Sequence, residues 1–160
     1  MASAQDAPEV KHLQVEGASL AYVEEGSGVP VVFVHGALSD LRTWDRYRPM
    51  ISDQRRFIAY TQRYFGPEKW PDDAKHFSTE THIKDLIAFV EGLDAGPVHL
   101  VTWSYSGEIG THAALRRPDL FLSLVHYEPY IASLLSGVPG AAAANRAIME
   151  AFGPAMAALE

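Results

Sequence analysis

Val101-Thr102-Trp103-Ser104-Tyr105-Ser106-Gly107 follows a strand-like apolar run and precedes a helix-like stretch. Ser104 stands at the centre of a small-x-Ser-x-small pattern, with Thr102 and Ser106 two residues to either side. This is the layout of a sharp strand-to-helix turn that lifts a nucleophile clear of a sheet. The turn holds its serine in a strained backbone conformation, so the flanking residues must be small for strand and helix to approach closely. Glycine usually fills both flanking positions; Thr102 and Ser106 meet the size requirement less well. The competing reading is an ordinary junction with solvated hydroxyls, and this stretch alone does not separate the two. Ser106 is the poorer nucleophile of the pair, because it would put Glu108 where a small residue is needed.

A second motif lies upstream. Val31-Val32-Phe33-Val34 reads as a strand buried on both faces, and His35-Gly36-Ala37 follows directly. Attack by a serine on a carbonyl develops negative charge that preorganised backbone N–H groups must hold, and losing one such donor costs about 10²–10³ in rate. One donor would be the Tyr105 N–H. The other would be the Ala37 N–H, from a loop in which Gly36 lets the backbone turn inward. His35-Gly36 taken alone is more simply a strand-ending turn.

In combination these residues resemble the α/β-hydrolase superfamily, specifically its cap-bearing serine members. The likeness runs from about Val15 to Pro129: His35-Gly36 with Trp44 nine residues after the histidine, Tyr60-Thr61-Gln62-Arg63-Tyr64-Phe65-Gly66, the elbow at Ser104, and Val125-His126-Tyr127-Glu128-Pro129. The resemblance implies an α/β fold, a doubly wound and mostly parallel sheet with helices on both faces. It also implies a Ser-His-acid triad whose acid and histidine follow the nucleophile in sequence, and a place for His35 in the oxyanion loop. Glu128 matches where some cap-bearing relatives carry the triad carboxylate; a structural carboxylate beside Pro129 is the alternative. The 160 residues are expected to end after about six strands and the start of a helical cap, before the loop that normally carries the triad histidine. A nucleophilic serine argues against the haloalkane dehalogenase and epoxide hydrolase branches, which form their covalent ester through a carboxylate.

Strand and helix signals alternate as a doubly wound sheet requires. His12–Val15 and Ala18–Val23 read as an opening antiparallel pair, followed by strands at Val31–Val34, Phe57–Thr61, Val98–Val101 and Leu120–Val125. Helices are expected at Leu41–Ile51, from Ser78 or Thr79 onward with Ile83, Leu86, Ile87, Val90 and Leu93 on one side, and from Tyr105 to about Arg116. Residues 63–77 read as a long loop over the carboxyl ends of the strands. The expected division is a core at residues 1–130 and the start of a cap at 131–160, with two short alanine-rich helices at 141–152 and 155–159.

Composition narrows the function classes. A net charge of −7 without a basic cluster disfavours nucleic acid and anionic membrane as partners, and no apolar run is long enough to span a bilayer. The polar start, residues 1–8, lacks an apolar signal core, so a frayed terminus and a cytoplasmic location are expected. The chain has no cysteine, and none of its seven histidines makes a metal pair, so no metal or cofactor is expected. Each histidine reads as a surface or satisfied core group, Asp85 and Asp94 as solvated, and Arg116-Arg117 as a solvated helix end. Tyr64, Phe65, Trp70, Trp103 and Tyr105 suggest an aromatic-lined pocket, though core packing explains any of them as well.

Two functions remain. One is a serine hydrolase acting on an ester, lactone or related small acyl compound through an acyl-enzyme at Ser104, its triad completed from a further segment or companion chain. The other is a non-catalytic module that binds without turnover. In either case an open, parallel sheet edge implies a companion polypeptide or self-association to cover it.

Overall fold

A computed structural model describes residues 8–151 apart from 68, 71, 136, 145, 148 and 149. Contacts divide the chain into two units, Met1–Tyr130 and Ile131–Glu160.

The first unit is built on one six-stranded sheet. In chain order the strands are β1 (Lys11–Val15), β2 (Ala18–Glu25), β3 (Pro30–Val34), β4 (Arg56–Tyr60), β5 (Val98–Trp103) and β6 (Phe121–Tyr127). Across the sheet the order is β1-β2-β4-β3-β5-β6. The first two pairings are antiparallel, and β4, β3, β5 and β6 run parallel. This is the doubly wound, mostly parallel α/β sheet. After β3 the chain builds β4 on one side, then crosses to build β5 on the other. The carboxyl ends of β3 and β5 are therefore neighbours at a reversal of strand order, where open α/β sheets place their ligands.

Both sheet faces bury apolar side chains. Val32, Val34, Ile58, Tyr60 and Leu100 share a core with Ile83, Leu86, Phe89 and Val90 of α2 (Thr79–Gly92) and Ile109 and Ala113 of α3 (Ser106–Arg116). Val31, Phe33, Phe57 and Ala59 pack on the opposite face with Leu41 and Trp44. Helix α2 starts where its sequence says it should: Ser78 Oγ accepts the Thr81 N–H at 3.1 Å.

Three expectations need correction. Leu41–Ile51 is not one helix but a 3₁₀ turn at Leu41–Trp44 and a short α1 at Arg48–Ser52, with Pro49 in its first turn. Proline has no N–H to donate four residues back, so it opens a helix rather than continuing one. Asp85 is not solvated: it is buried on α2, because Arg63 reaches it from the loop after β4 with N–O distances of 2.7 and 2.8 Å. Arg116 is exposed and Arg117 half-buried, and both are paired, Arg116 with Glu80 across α2 and α3 and Arg117 with Asp119 and Glu91.

In the second unit, α4 (Ala132–Leu135) is followed by helical residues at 141–144, 146–147 and 150–151. The start of the chain and the helix expected at 155–159 lie outside the described residues. No helix among the described residues is long and apolar enough to cross a membrane.

Candidate active site

The site is assembled at the carboxyl ends of β3, β5 and β6. Val34 pairs with Thr102, and Thr102 with His126. Gly36, Ser104 and Glu128 each follow two residues later, in three neighbouring turns.

Ser104 has φ +52, in the left-handed region that costs a non-glycine residue of order 1–3 kcal/mol and persists only where its surroundings enforce it. Two sets of hydrogen bonds do so. The Ser104 N–H donates to Tyr127 O at 3.0 Å, and Ser104 O accepts from Gly107 N–H and Tyr130 N–H, both at 2.9 Å. With its backbone pinned on both sides, the partly exposed Ser104 side chain has no hydrogen-bond partner among the described residues.

Gly36 lies directly against it. A Cβ on Gly36 would fall 3.2 Å from Ser104 Cβ and 3.1 Å from Trp103 Cε3, so glycine is what lets the β3 loop approach this closely. Ala37 and Tyr105 follow Gly36 and Ser104 in the chain, and the N–H of neither donates to an acceptor among the described residues. His35 holds the loop in place from beneath. Its Nδ1 lies 2.7 Å from Gly36 O, its Nε2 accepts the Gln62 N–H at 3.0 Å, and its carbonyl accepts from Gln62 Nε2 at 2.8 Å. Nδ1 therefore carries the ring proton, and burial pushes the pKa of His35 down to about 4, keeping the ring neutral.

The glycines missing from the elbow have been moved. Thr102 and Ser106 are both fully buried. Room for Thr102 comes from Gly110 one turn into α3, and Gly107 admits Pro129: a Cβ on Gly110 would meet Thr102 Cγ2 at 2.7 Å, and one on Gly107 would meet Pro129 Cβ at 2.5 Å. Ser106 fills its place with useful bonds. Its Oγ donates to Val34 O at 2.9 Å or Trp103 O at 3.0 Å and accepts the Trp103 N–H at 2.9 Å, which ties β3, β5 and α3 together.

Glu128 closes β6 with φ +44 and an exposed side chain. Of the histidines, His99 meets Ser123 at 2.8 Å, His126 meets Thr102 at 2.6 Å, and His112 lies 3.7 Å from Glu108. The sequence reads His82, like the other histidines, only as a surface or satisfied core group. It is 1% exposed, with Nδ1 2.8 Å from the Tyr105 hydroxyl and Nε2 3.0 Å from Arg63 O. Nothing local could reveal this contact, because His82 stands on α2 and Tyr105 in the turn before α3. Phe65, Phe77 and Tyr64 surround the pair, ring to ring. A cavity of about 320 Å³ lies elsewhere, lined by Ala21, Val23, Leu41, Phe65 and Trp70; Ser104 does not line it.

A sequence model described as the alpha/beta hydrolase fold matches residues 29–157. The chain belongs to the α/β-hydrolase family. Within the family it is similar to a haloalkane dehalogenase of Bradyrhizobium diazoefficiens, 33% identical over 122 residues, 75% of this chain and 39% of that protein. It is also similar to an epoxide hydrolase of Caballeronia sordidicola, 32% identical over 110 residues, 68% of this chain and 33% of that protein. The crystal structure of the haloalkane dehalogenase DatA from Agrobacterium tumefaciens C58 superposes with a TM-score of 0.70 at 27% identity, covering 78% of this chain and 42% of that one. The chain thus spans about two fifths of the length of the first of these curated relatives.

Proposed function

We propose that this chain carries the nucleophile and oxyanion donors of a serine hydrolase acting on a small ester, lactone or related acyl compound. The observation that carries the reading is Ser104, held at φ +52 with Gly36 packed against it and the Ala37 and Tyr105 N–H groups without acceptors. Ser104 Oγ gives its proton to a general base as it attacks the acyl carbon, and the carbonyl oxygen becomes an oxyanion held by those two N–H groups. The alcohol leaves with a proton from the general base, and water then cleaves the acyl-enzyme by the same route.

Glu128, at the end of the strand beside Ser104, is proposed as the triad acid. The base is proposed to be a histidine outside these 160 residues: His35, His82, His99 and His126 are engaged with other partners, His112 lies beside Glu108, and His12 and His76 stand on β1 and in the loop before α2 rather than at the end of β5. The segment or companion chain that supplies it is proposed to cover β6, where Val125 and Tyr127 are more than half exposed.

The similarity to a haloalkane dehalogenase and an epoxide hydrolase does not extend to their named substrates, for a chemical reason. Attack of a serine hydroxyl on a saturated carbon would leave an ether, which has no carbonyl for water to attack. An ester formed by a carboxylate nucleophile has one.

The test is intact mass after treatment of the complete protein with a fluorophosphonate, alongside hydrolysis of p-nitrophenyl butyrate and halide release from 1-bromobutane. One adduct on this chain and ester turnover, both lost in Ser104→Ala, are expected. No adduct and no ester turnover would favour a binding module, and sustained halide release would overturn the acyl chemistry.

A further inference from the structure

Tyr105 serves the candidate site with its backbone, yet its side chain is held from another element. Nε2 of His82 lies 3.0 Å from the Arg63 carbonyl, which can only accept, so Nε2 carries the proton and Nδ1 presents a lone pair. The Tyr105 hydroxyl, 2.8 Å from Nδ1, therefore donates to it. Arg63 is itself immobilised: its guanidinium bonds both oxygens of the buried Asp85 carboxylate and the Glu16 carbonyl. The other oxyanion donor is held from the preceding residue, since Gln62 bonds His35 at both its ring and its carbonyl, one residue before Gly36 and two before Ala37. One dipeptide after β4, Gln62-Arg63, thus anchors both donors, each through a buried histidine.

We propose that His82 is a positioning residue for the oxyanion hole, fixing the direction of the Tyr105 N–H through the Tyr105 hydroxyl. The assignment rests on the reading of Ser104 as nucleophile. The Tyr105 N–H belongs to the peptide whose carbonyl, Ser104 O, accepts from Gly107 and Tyr130 N–H; that peptide turns about the Ser104 Cα–C and Tyr105 N–Cα bonds, and the Tyr105 side chain hangs from the second of these hinges (φ −49). A ring anchored at its far end, and enclosed by Phe65 and Phe77, opposes the rotation. The donor is used fully only when the oxyanion has formed, so disturbing its direction lowers kcat and leaves KM unchanged. A side chain that merely fills the core would change stability and leave the kcat-to-KM split alone.

The experiment measures p-nitrophenyl butyrate hydrolysis by the complete protein and by Ser104→Ala, Tyr105→Phe, His82→Leu, His82→Asn and the Tyr105→Phe/His82→Leu pair. Tyr105→Phe keeps the ring and its packing and removes only the hydroxyl, with its bonds to His82 and Thr79, so it decides the matter should His82→Leu fail to fold. Expected is a fall in kcat of about tenfold in Tyr105→Phe and in His82→Leu, with KM within about twofold, because a misdirected donor loses part of its contribution. The double variant should be no worse than the worse single one, since both cut the same bond. His82→Asn, which restores an acceptor near Nδ1, should recover most of the loss. Turnover that depends on Ser104 but is within about twofold of normal in Tyr105→Phe, or losses that multiply in the double variant, would overturn the role of His82 alone. Turnover indifferent to Ser104→Ala would overturn the nucleophile and this assignment with it.

Discussion

The methyl group of Thr102 occupies the space that a side chain on Gly110 would need, with 2.7 Å between Thr102 Cγ2 and the position of a Gly110 Cβ. Strand β5 and helix α3 must approach closely for the elbow to form, and only one of the two facing positions can carry bulk there. In this chain the strand carries it and the helix gives way.

Gly110→Ala should therefore destabilise the protein by about 1–3 kcal/mol, the range for overfilling a packed core. Thr102→Ala removes the colliding methyl, so the double variant should be less destabilised than the sum of the singles. Urea unfolding midpoints of the four proteins measure this; additive losses would mean the two sites do not compete for space.

Ser106→Ala should cost about 1–3 kcal/mol, because the part-buried Trp103 N–H and the buried Val34 carbonyl lose a partner. Fluorophosphonate labelling at Ser104 should persist in the variant. Loss of labelling here and its survival in Ser104→Ala would exchange the roles of the two serines.

Arg63→Met should cost about 3–5 kcal/mol, because it leaves the Asp85 carboxylate buried without a counter-charge. Burial already pushes the Asp85 carboxyl up, against the pull of Arg63. Arg63→Met combined with Asp85→Leu should recover much of the loss in a thermal melt, whereas an isolated Asp85→Leu should not be neutral.

Acid should weaken the fold through two buried rings. Burial lowers His35 and His82 to about 4, while the unfolded chain titrates near 6.5. Between those values the unfolded state binds protons that the folded state refuses. The contribution is complete above pH 6.5 or so and is lost as pH falls toward 4, at most about 3 kcal/mol per ring. Denaturant midpoints at pH 7 and pH 4.5 should differ less in His82→Asn than in the parent chain. Equal differences would show that His82 is protonated in the folded state.

Local sequence was enough to place the strands flanking the site, the Ser78 cap and the two motifs at Gly36 and Ser104, because alternation, glycine and cap chemistry act within a few residues. It failed at Leu41–Ile51, expected as one helix, where the helical run breaks after Trp44 and Pro49 stands in the first turn of a new short helix. It failed again at Asp85, whose partner Arg63 stands twenty-two residues away on a loop.

The α/β class, the order of elements and a serine at a strand-to-helix turn are all written in the local pattern of residues. Which residues meet is not, and follows from the folded sheet. The sheet order β4-β3-β5 puts the β3 loop beside Ser104, lets Gly110 stand in for an elbow glycine, and brings His82 to Tyr105. Local periodicity says which way a side chain faces. The partner it finds depends on how distant strands are ordered, which is settled by burying both faces of the sheet at once.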